Sequence, residues 1–162
     1  MKIIVLLALL GLGGWIYLKP KTAITDSDIQ DFVALTVKSV QSRDSVGFCK
    51  HISDDFEMRL TMLQMTDSPT ARMNKAEYCA KLEEGYDAIR KSQMAYNYQF
   101  NVKSFLIAPD KKSAALSAET IERMFTPQRT VYSAVSTEEI EIALVKGKVV
   151  LTYVKAKTRA AQ

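Results

Sequence analysis

Few residues of this chain have side chains suited to acid–base chemistry. His51 is the only histidine among the 162 residues, and an imidazole can act as a general base near neutral pH. Asp54 and Asp55 follow at a predicted helix-to-strand junction, where aspartates commonly cap backbone amides. We therefore predict no catalytic residue and retain His51 and Asp54 as polar candidates.

Metal and thiol chemistry have little support in the sequence. A zinc site needs three or four Cys, His or carboxylate ligands, whereas one histidine and two cysteines occur here, at no metal-binding spacing. We expect no metal and no cofactor. In an oxidising compartment Cys49 and Cys79 could pair in a disulfide. The alternative is that each cysteine is a small buried apolar residue.

Three methionines lie close together in the segment FEMRLTMLQM, at Met58, Met62 and Met65. Thioethers favour Cu(I), but Phe56, Met58, Leu60 and Met62 alternate with polar residues, and this alternation predicts a strand with one buried face. A helix would also bring the three methionines together, but it would leave Glu57 and Arg59 without a consistent polar face. Methionine fills irregular gaps in a curved sheet, so the face is a candidate wall of a mostly apolar pocket. The predicted pocket lining is Met58, Met62, Tyr96 and Tyr98.

A charged pair lies inside a later predicted strand. Glu122 and Arg123 fall near an expected change of phase in the apolar alternation, so one of the two should point inward. A buried arginine in a pocket could bind an anion, and a solvated strand face is the alternative. We take Arg123 as a candidate pocket residue.

The first 21 residues differ from the rest of the chain. Residues 3–18 are an unbroken run of apolar residues and glycine, with Lys2 before the run and Lys19 and Lys21 after it. As a helix the run is about 24 Å long, slightly short of the ~30 Å hydrocarbon core. Because small residues suited to cleavage are poorly placed, we predict an uncleaved signal anchor over 1–21. The alternatives are a cleaved signal peptide and a buried core helix.

Charge argues against a nucleic-acid partner. The chain has 22 basic and 18 acidic residues and a net charge of +4. Three of the lysines flank the apolar run, and without them the net charge is +1. A nucleic-acid-binding domain needs a basic stripe, and the remaining sequence has none.

Hydrophobic periodicity predicts three helices, of which two precede the first strand. Ser27, with Gln30 three residues later, is the expected cap of the first helix. Asp44 is the expected cap of a short second helix. Asn74 with Glu77 is the expected cap of the third helix, which follows a strand hairpin.

From residue 95 onward the sequence predicts four strands in a meander. The apolar pattern slips near Lys103 and again before Ile121, which indicates bulges that curve the sheet. In the third of these strands Ile140, Ile142 and Leu144 should point inward, with Glu139 and Glu141 outward. Helices followed by antiparallel strands make an α+β domain. We predict a cone-shaped domain over 22–162, with the helices packed on a strongly curved antiparallel sheet. The predicted strands are 56–62, 70–73, 95–107, 114–125, 131–145 and 149–153.

This order of elements resembles the nuclear-transport-factor-2-like superfamily, which includes the ketosteroid-isomerase-like and polyketide-cyclase-like proteins. The resemblance covers about residues 25–157. It is carried by the element order and by the phrases SVGFCKHISDDF and MNKAEYCAKLE. It implies the cone-shaped fold, and a carboxylate base in an apolar cone if the protein were an isomerase, a role for which Asp54 is a candidate. The superfamily also holds dehydratases, ligand binders and non-catalytic assembly domains, so fold alone does not give function.

We expect a non-enzymatic binding or assembly domain of the bacterial cell envelope. Residues 3–18 would hold it in the inner membrane as a single pass, with the domain in the periplasm; secretion to the periplasm after cleavage is the alternative. A second copy or another envelope protein would be the partner. The alternative function is a pocket that binds a small apolar ligand, and an isomerase or dehydratase of the same fold is a third hypothesis.

Overall fold

The computed structural model describes residues 21–63, 69–92 and 94–160. The predicted anchor at 3–18, Met65 and residues 66–68 of the predicted turn lie outside the described residues. Within the described ranges, no helix has the length and apolarity needed to cross a bilayer. The described helices are α1 (Asp26–Ser42), α2 (Ser45–Cys49) and α3 (Lys75–Ser92). The described strands are β1 (Ile52–Met62), β2 (Thr70–Asn74), β3 (Ala95–Ile107), β4 (Ser113–Thr126), β5 (Arg129–Val145) and β6 (Lys148–Ala160).

The six strands form one sheet in the order β2-β1-β6-β5-β4-β3. The predicted meander of β3 to β6 is confirmed, and so is the strand assignment of the methionine segment. The prediction of an antiparallel sheet is wrong at one pairing, because the first strand, β1, pairs with the last strand, β6, in parallel. This pairing brings the methionines of β1 beside the end of the meander.

Bulges bend the long strands around the helices. The pairing of β3 with β4 shifts between Val102 and Ser104, which confirms the predicted slip near Lys103. The predicted slip before Ile121 is wrong, because β4 pairs with β5 without a shift from Ser113 to Met124. The sheet is therefore curved by bulges at other positions, since each extra residue raises the local twist and bends its strand.

Two of the three predicted helix caps are confirmed, and one is wrong. Asp44 accepts a hydrogen bond from a backbone N–H three residues later at 2.7 Å, and Asn74 does the same at 3.0 Å. The first helix is capped by Thr25 instead of Ser27. The carboxylate of Asp28 accepts from the backbone N–H of Thr25 at 2.8 Å and from its hydroxyl at 2.7 Å. These two hydrogen bonds hold Thr25 in an extended conformation, so the helix begins two residues before the predicted start.

The helices lie on the inner face of the curved sheet. Helix α1 contacts β3, and α3 contacts β1 and β2. A disulfide joins Cys49 of α2 to Cys79 of α3, with the Cα atoms 6.1 Å apart. It fixes the two helices that cover one side of the sheet. The packed core includes Phe32, Phe48, Ile52, Phe56, Leu116, Ile140, Ile142 and Leu151.

Candidate functional site

A cavity of about 390 Å³ lies between the helices and the inner face of the sheet. Its volume falls within the range of about 300–1,000 Å³ that is usual for small-molecule sites. The cavity reaches solvent where Met62 and Tyr132 line it, since these side chains are 39% and 41% exposed. Its apolar wall includes Phe32, Phe48, Met58, Leu60, Leu82 and Ile140.

Two carboxyl groups, Glu122 of β4 and Glu138 of β5, lie on this wall. Both are positioned by the strand alternation, which puts every second side chain on the inner face. Glu138 stands between Ala118 of β4 and Ala156 of β6 in the strand register. Residues directly opposite each other share a face of the sheet. The two methyl groups therefore leave space beside the carboxyl.

Burial controls the ionisation of Glu138. It is the largest cause of a pKa that is raised to about 7, and the nearby carboxyl of Glu122 contributes to the same rise. The Thr120 hydroxyl donates to Glu138 Oε1 at 2.8 Å, which opposes the rise because the bond favours the charged form. Among the described residues, none hydrogen-bonds Oε2. Near neutral pH, Glu138 is thus divided between its protonated and ionised forms.

The pKa of the Glu122 carboxyl is also raised above its ordinary value. Burial is the largest cause and raises its pKa, while an interaction with the hydroxyl of Tyr96 lowers it. A carboxyl in a low-dielectric site favours its neutral form unless an opposite charge is close. The described residues that line the cavity include no lysine, arginine or histidine. The site is consequently acidic and lacks a basic counterion in the part of the chain that is described.

Five tyrosines line the same cavity. Burial is the largest cause that raises the pKa of each phenol, to about 12 for Tyr86, and the nearby glutamates add to the rise for every one. The phenols therefore stay neutral, and each offers a hydroxyl and a π-face. The five are Tyr78, Tyr86, Tyr96, Tyr98 and Tyr132.

The structure brings four of the predicted pocket residues together at the cavity: Met58, Met62, Tyr96 and Tyr98. Arg123, the fifth, is not among the lining residues, and its neighbour Glu122 is. The reason is the unbroken alternation of β4. Because no slip occurs before Ile121, even-numbered residues stay on the inner face and Arg123 falls on the outer one.

The two polar candidates lie away from the cavity. His51 is exposed after α2, and neither His51 nor Asp54 is among the lining residues. Asp54 accepts from Lys75 Nζ at 2.8 Å, and this bond holds the pKa of its exposed carboxyl below the ordinary value. The acid groups of the cavity are two glutamates that the sequence interpretation did not select.

A usable sequence signal for Glu138 existed. The alternation that places Ile140, Ile142 and Leu144 inward puts Glu138 on the same face when it is extended by two residues. Glu122 had no such signal, because its neighbour Ile121 is apolar, and an inward-facing Ile121 would put Glu122 on the outer face of the strand. Tyr78 and Tyr86 lie in α3 and Tyr132 lies in β5, and no local sequence pattern brings these three residues together.

Comparison with known proteins gives the fold. No family model and no curated protein matches this chain. A conserved protein from Planctomyces limnophilus is similar at 9% identity and a TM-score of 0.64, over 84% of this chain and 97% of that one. An NTF2-like protein with a cystatin-like fold from Novosphingobium aromaticivorans is similar at 10% identity and a TM-score of 0.59, over 81% of this chain and 79% of that one. A ketosteroid isomerase-like protein from Erwinia carotovora atroseptica is similar at 14% identity and a TM-score of 0.54, over 84% of this chain and 95% of that one.

The described domain thus has the mixed α+β fold of NTF2-like, cystatin-like proteins, with a curved six-stranded sheet. At these identities the likeness extends to the fold and no further.

Proposed function

We propose that this chain binds a small, largely apolar ligand in the cavity enclosed by α1, α3 and the sheet. The observation that supports this most directly is the cavity itself, about 390 Å³ in volume. Its wall combines apolar side chains with a few convergent polar groups, the composition usual for small-molecule sites. The phenol hydroxyls and the two carboxyls would fix the orientation of the ligand.

Native mass spectrometry with a cavity-blocking variant tests this proposal. Ser136 lies on the cavity wall, and Thr137 is exposed on the opposite face of the same strand. We expect wild type and Thr137→Phe to carry an added mass of a few hundred daltons, on the order of a drug-sized ligand. Ser136→Phe should run at the bare polypeptide mass. An equal added mass on Ser136→Phe would place the ligand elsewhere, and bare mass for all three proteins would count against a retained ligand.

A second candidate function is proton transfer on a bound ligand, and Glu138 is the observation that favours it. A general base works best when its pKa lies near the working pH, and burial raises the pKa of Glu138 to about 7. With a β,γ-unsaturated cyclic ketone in D₂O, Glu138 would exchange the α-proton for deuterium. NMR would measure this exchange, and Glu138→Gln should abolish it. Exchange at the wild-type rate in that variant would remove Glu138 from the role.

The envelope location and assembly role remain part of the proposal. They are supported by the apolar run at 3–18, by the disulfide between Cys49 and Cys79, and by exposed Phe105 and Leu106 on the edge strand β3. Structural disulfides are typical of oxidising compartments. We expect the full chain in the inner-membrane fraction, and deletion of 3–18, which removes the export signal together with the anchor, should leave it in the cytoplasm. A full chain found in the cytosol would refute the location.

A further inference from the structure

The acidic cavity wall restricts which apolar ligands it suits. Glu122 and Glu138 come from adjacent strands, β4 and β5, and both line the cavity. Glu138 uses one oxygen, Oε1, for the bond from Thr120. Its second oxygen has no hydrogen-bond partner among the described residues. An ionised carboxyl in such a place is costly unless an opposite charge pairs with it.

No cation of the described chain supplies that charge at the cavity. The ion pairs of the described residues lie elsewhere, for example between Lys155 and Glu139 on the outer face of β5. From α1, α2, β1 and β6, the described lining residues carry no ionisable side chain. The titratable groups that face the two glutamates are therefore the tyrosines of α3, β3 and β5. Asp44, at the start of α2, adds a further negative charge near Tyr86.

The tyrosines supply a second, independent feature. Aromatic faces attract organic cations through the negative charge of the ring face, most strongly where water is excluded. Five phenol rings from three elements converge on one cavity. The ring of Tyr78 also packs against the core residue Phe56, with the centroids 5.2 Å apart and the ring planes tilted by 42°. An enclosure of aromatic rings with a carboxylate is the usual way to bind a quaternary ammonium group.

We infer that the ligand of this cavity is an organic cation, a tertiary or quaternary amine that carries an apolar body. The inference rests on the proposed function and adds the charge of the ligand. Glu138 pairs with the ammonium group, Glu122 adds to the negative potential of the same cavity, and tyrosine rings line the wall around the cation. The apolar body lies against Phe32, Met58 and Leu60. An anionic ligand would meet two carboxyls and no basic side chain, and a neutral ligand would leave the half-buried carboxylates without a counterion.

A pair of probes that differ only in charge tests the inference. Benzyltrimethylammonium and neopentylbenzene have nearly the same shape, because a quaternary nitrogen in one replaces a quaternary carbon in the other. Isothermal titration calorimetry of each probe into the full chain should give at least tenfold tighter binding of the cation at pH 8. At pH 5 Glu138 is protonated and burial favours the neutral form of Glu122, so the preference should fall to about threefold or less.

Variants assign the preference to the cavity. Glu138→Gln and Glu122→Gln should each reduce the tenfold preference at pH 8, and the double variant should abolish it while still binding neopentylbenzene. Glu141→Gln, on the outer face of β5, should keep the wild-type preference. At pH 7 the cation should also release up to about half a proton as Glu138 ionises, which calorimetry in buffers of different ionisation enthalpy measures.

The outcomes separate the two proposals. If neopentylbenzene binds as tightly as the cation at pH 8, the ligand is not a cation, and the proposed small-molecule function still stands. If the preference survives in the double variant, the carboxyls do not recognise the charge and the inference fails. If neither probe binds the wild-type chain, both the inference and the proposed function are overturned.

Discussion

Replacing Glu138 by glutamine should stabilise this protein at alkaline pH. The folded carboxyl has a pKa of about 7, raised by burial from an ordinary value of 4.5. Between these two pH values the folded state binds more protons than the unfolded state, so the free energy of unfolding falls as pH rises. Below about pH 4.5 the carboxyl is protonated in both states and the effect disappears. Above about pH 7 the full cost is present.

The magnitude follows from the two pKa values. A difference of this size corresponds to at most about 3.4 kcal/mol, at about 1.36 kcal/mol for each pH decade. Because the cavity opens to solvent, which screens the charge, we expect about 2–3 kcal/mol. Glutamine has the same shape and can still accept the hydrogen bond from Thr120 through its own Oε1. The variant should therefore be about 2–3 kcal/mol more stable than wild type at pH 8, and less than about 1 kcal/mol more stable at pH 5.

Urea unfolding at pH 5, 6, 7 and 8 measures this difference. The control is Glu141→Gln on the outer face of the same strand, whose stability relative to wild type should change little across the range. An equal gain at all four pH values would show that Glu138→Gln acts through packing instead of charge. A loss of stability at pH 8 would mean that the carboxylate is paired in the folded state, and the electrostatic reasoning about this cavity would be wrong.

Three further predictions concern the framework of the cavity. Reduction of the disulfide between Cys49 and Cys79 should lower the free energy of unfolding by about 3–4 kcal/mol, on the chain-entropy model for a loop of about 30 residues. Urea unfolding with and without a reductant measures this loss, and an unchanged midpoint would contradict it. Gly85→Ala should add about 0.5–1 kcal/mol, because the exposed glycine lies inside α3 and an added Cβ meets nothing within 4 Å; a lower melting temperature would refute this. Asn74→Ala should cost about 1 kcal/mol by removing the cap of α3, as judged by the unfolding midpoint, whereas Asn74→Asp should retain most of the stability.

Much of the local structure could be predicted because it depends on nearest neighbours. The alternation around Met58 and Met62 predicts a strand, and the Asn74 and Glu77 pair predicts the start of a helix, since both patterns act over a few residues. The cap of α1 shows the limit of this reasoning. Ser27 fitted the capping pattern, but the carboxylate of Asp28 selects Thr25 by accepting two of its hydrogen bonds.

Part of the candidate site could also be predicted from patterns that act over a few residues. Tyr96 and Tyr98 follow a regular alternation, so their face was evident from sequence. The choice between Glu122 and Arg123 depended on whether β4 contains a bulge, and one residue of slip exchanges the two faces of a strand. Hydrophobic pattern alone could not settle this, because Ile121 on the outer face is apolar as well.

The sequence by itself determined the elements and their order, because propensity, capping and alternation are local. Only the tertiary structure decided which of these elements meet. The parallel pairing of β1 with β6 joins residues almost 100 positions apart, and no local pattern encodes it. The same packing gathers Glu122, Glu138 and five tyrosines around one cavity. Their altered acidity arises from burial, which is a property of the folded domain and not of any single segment.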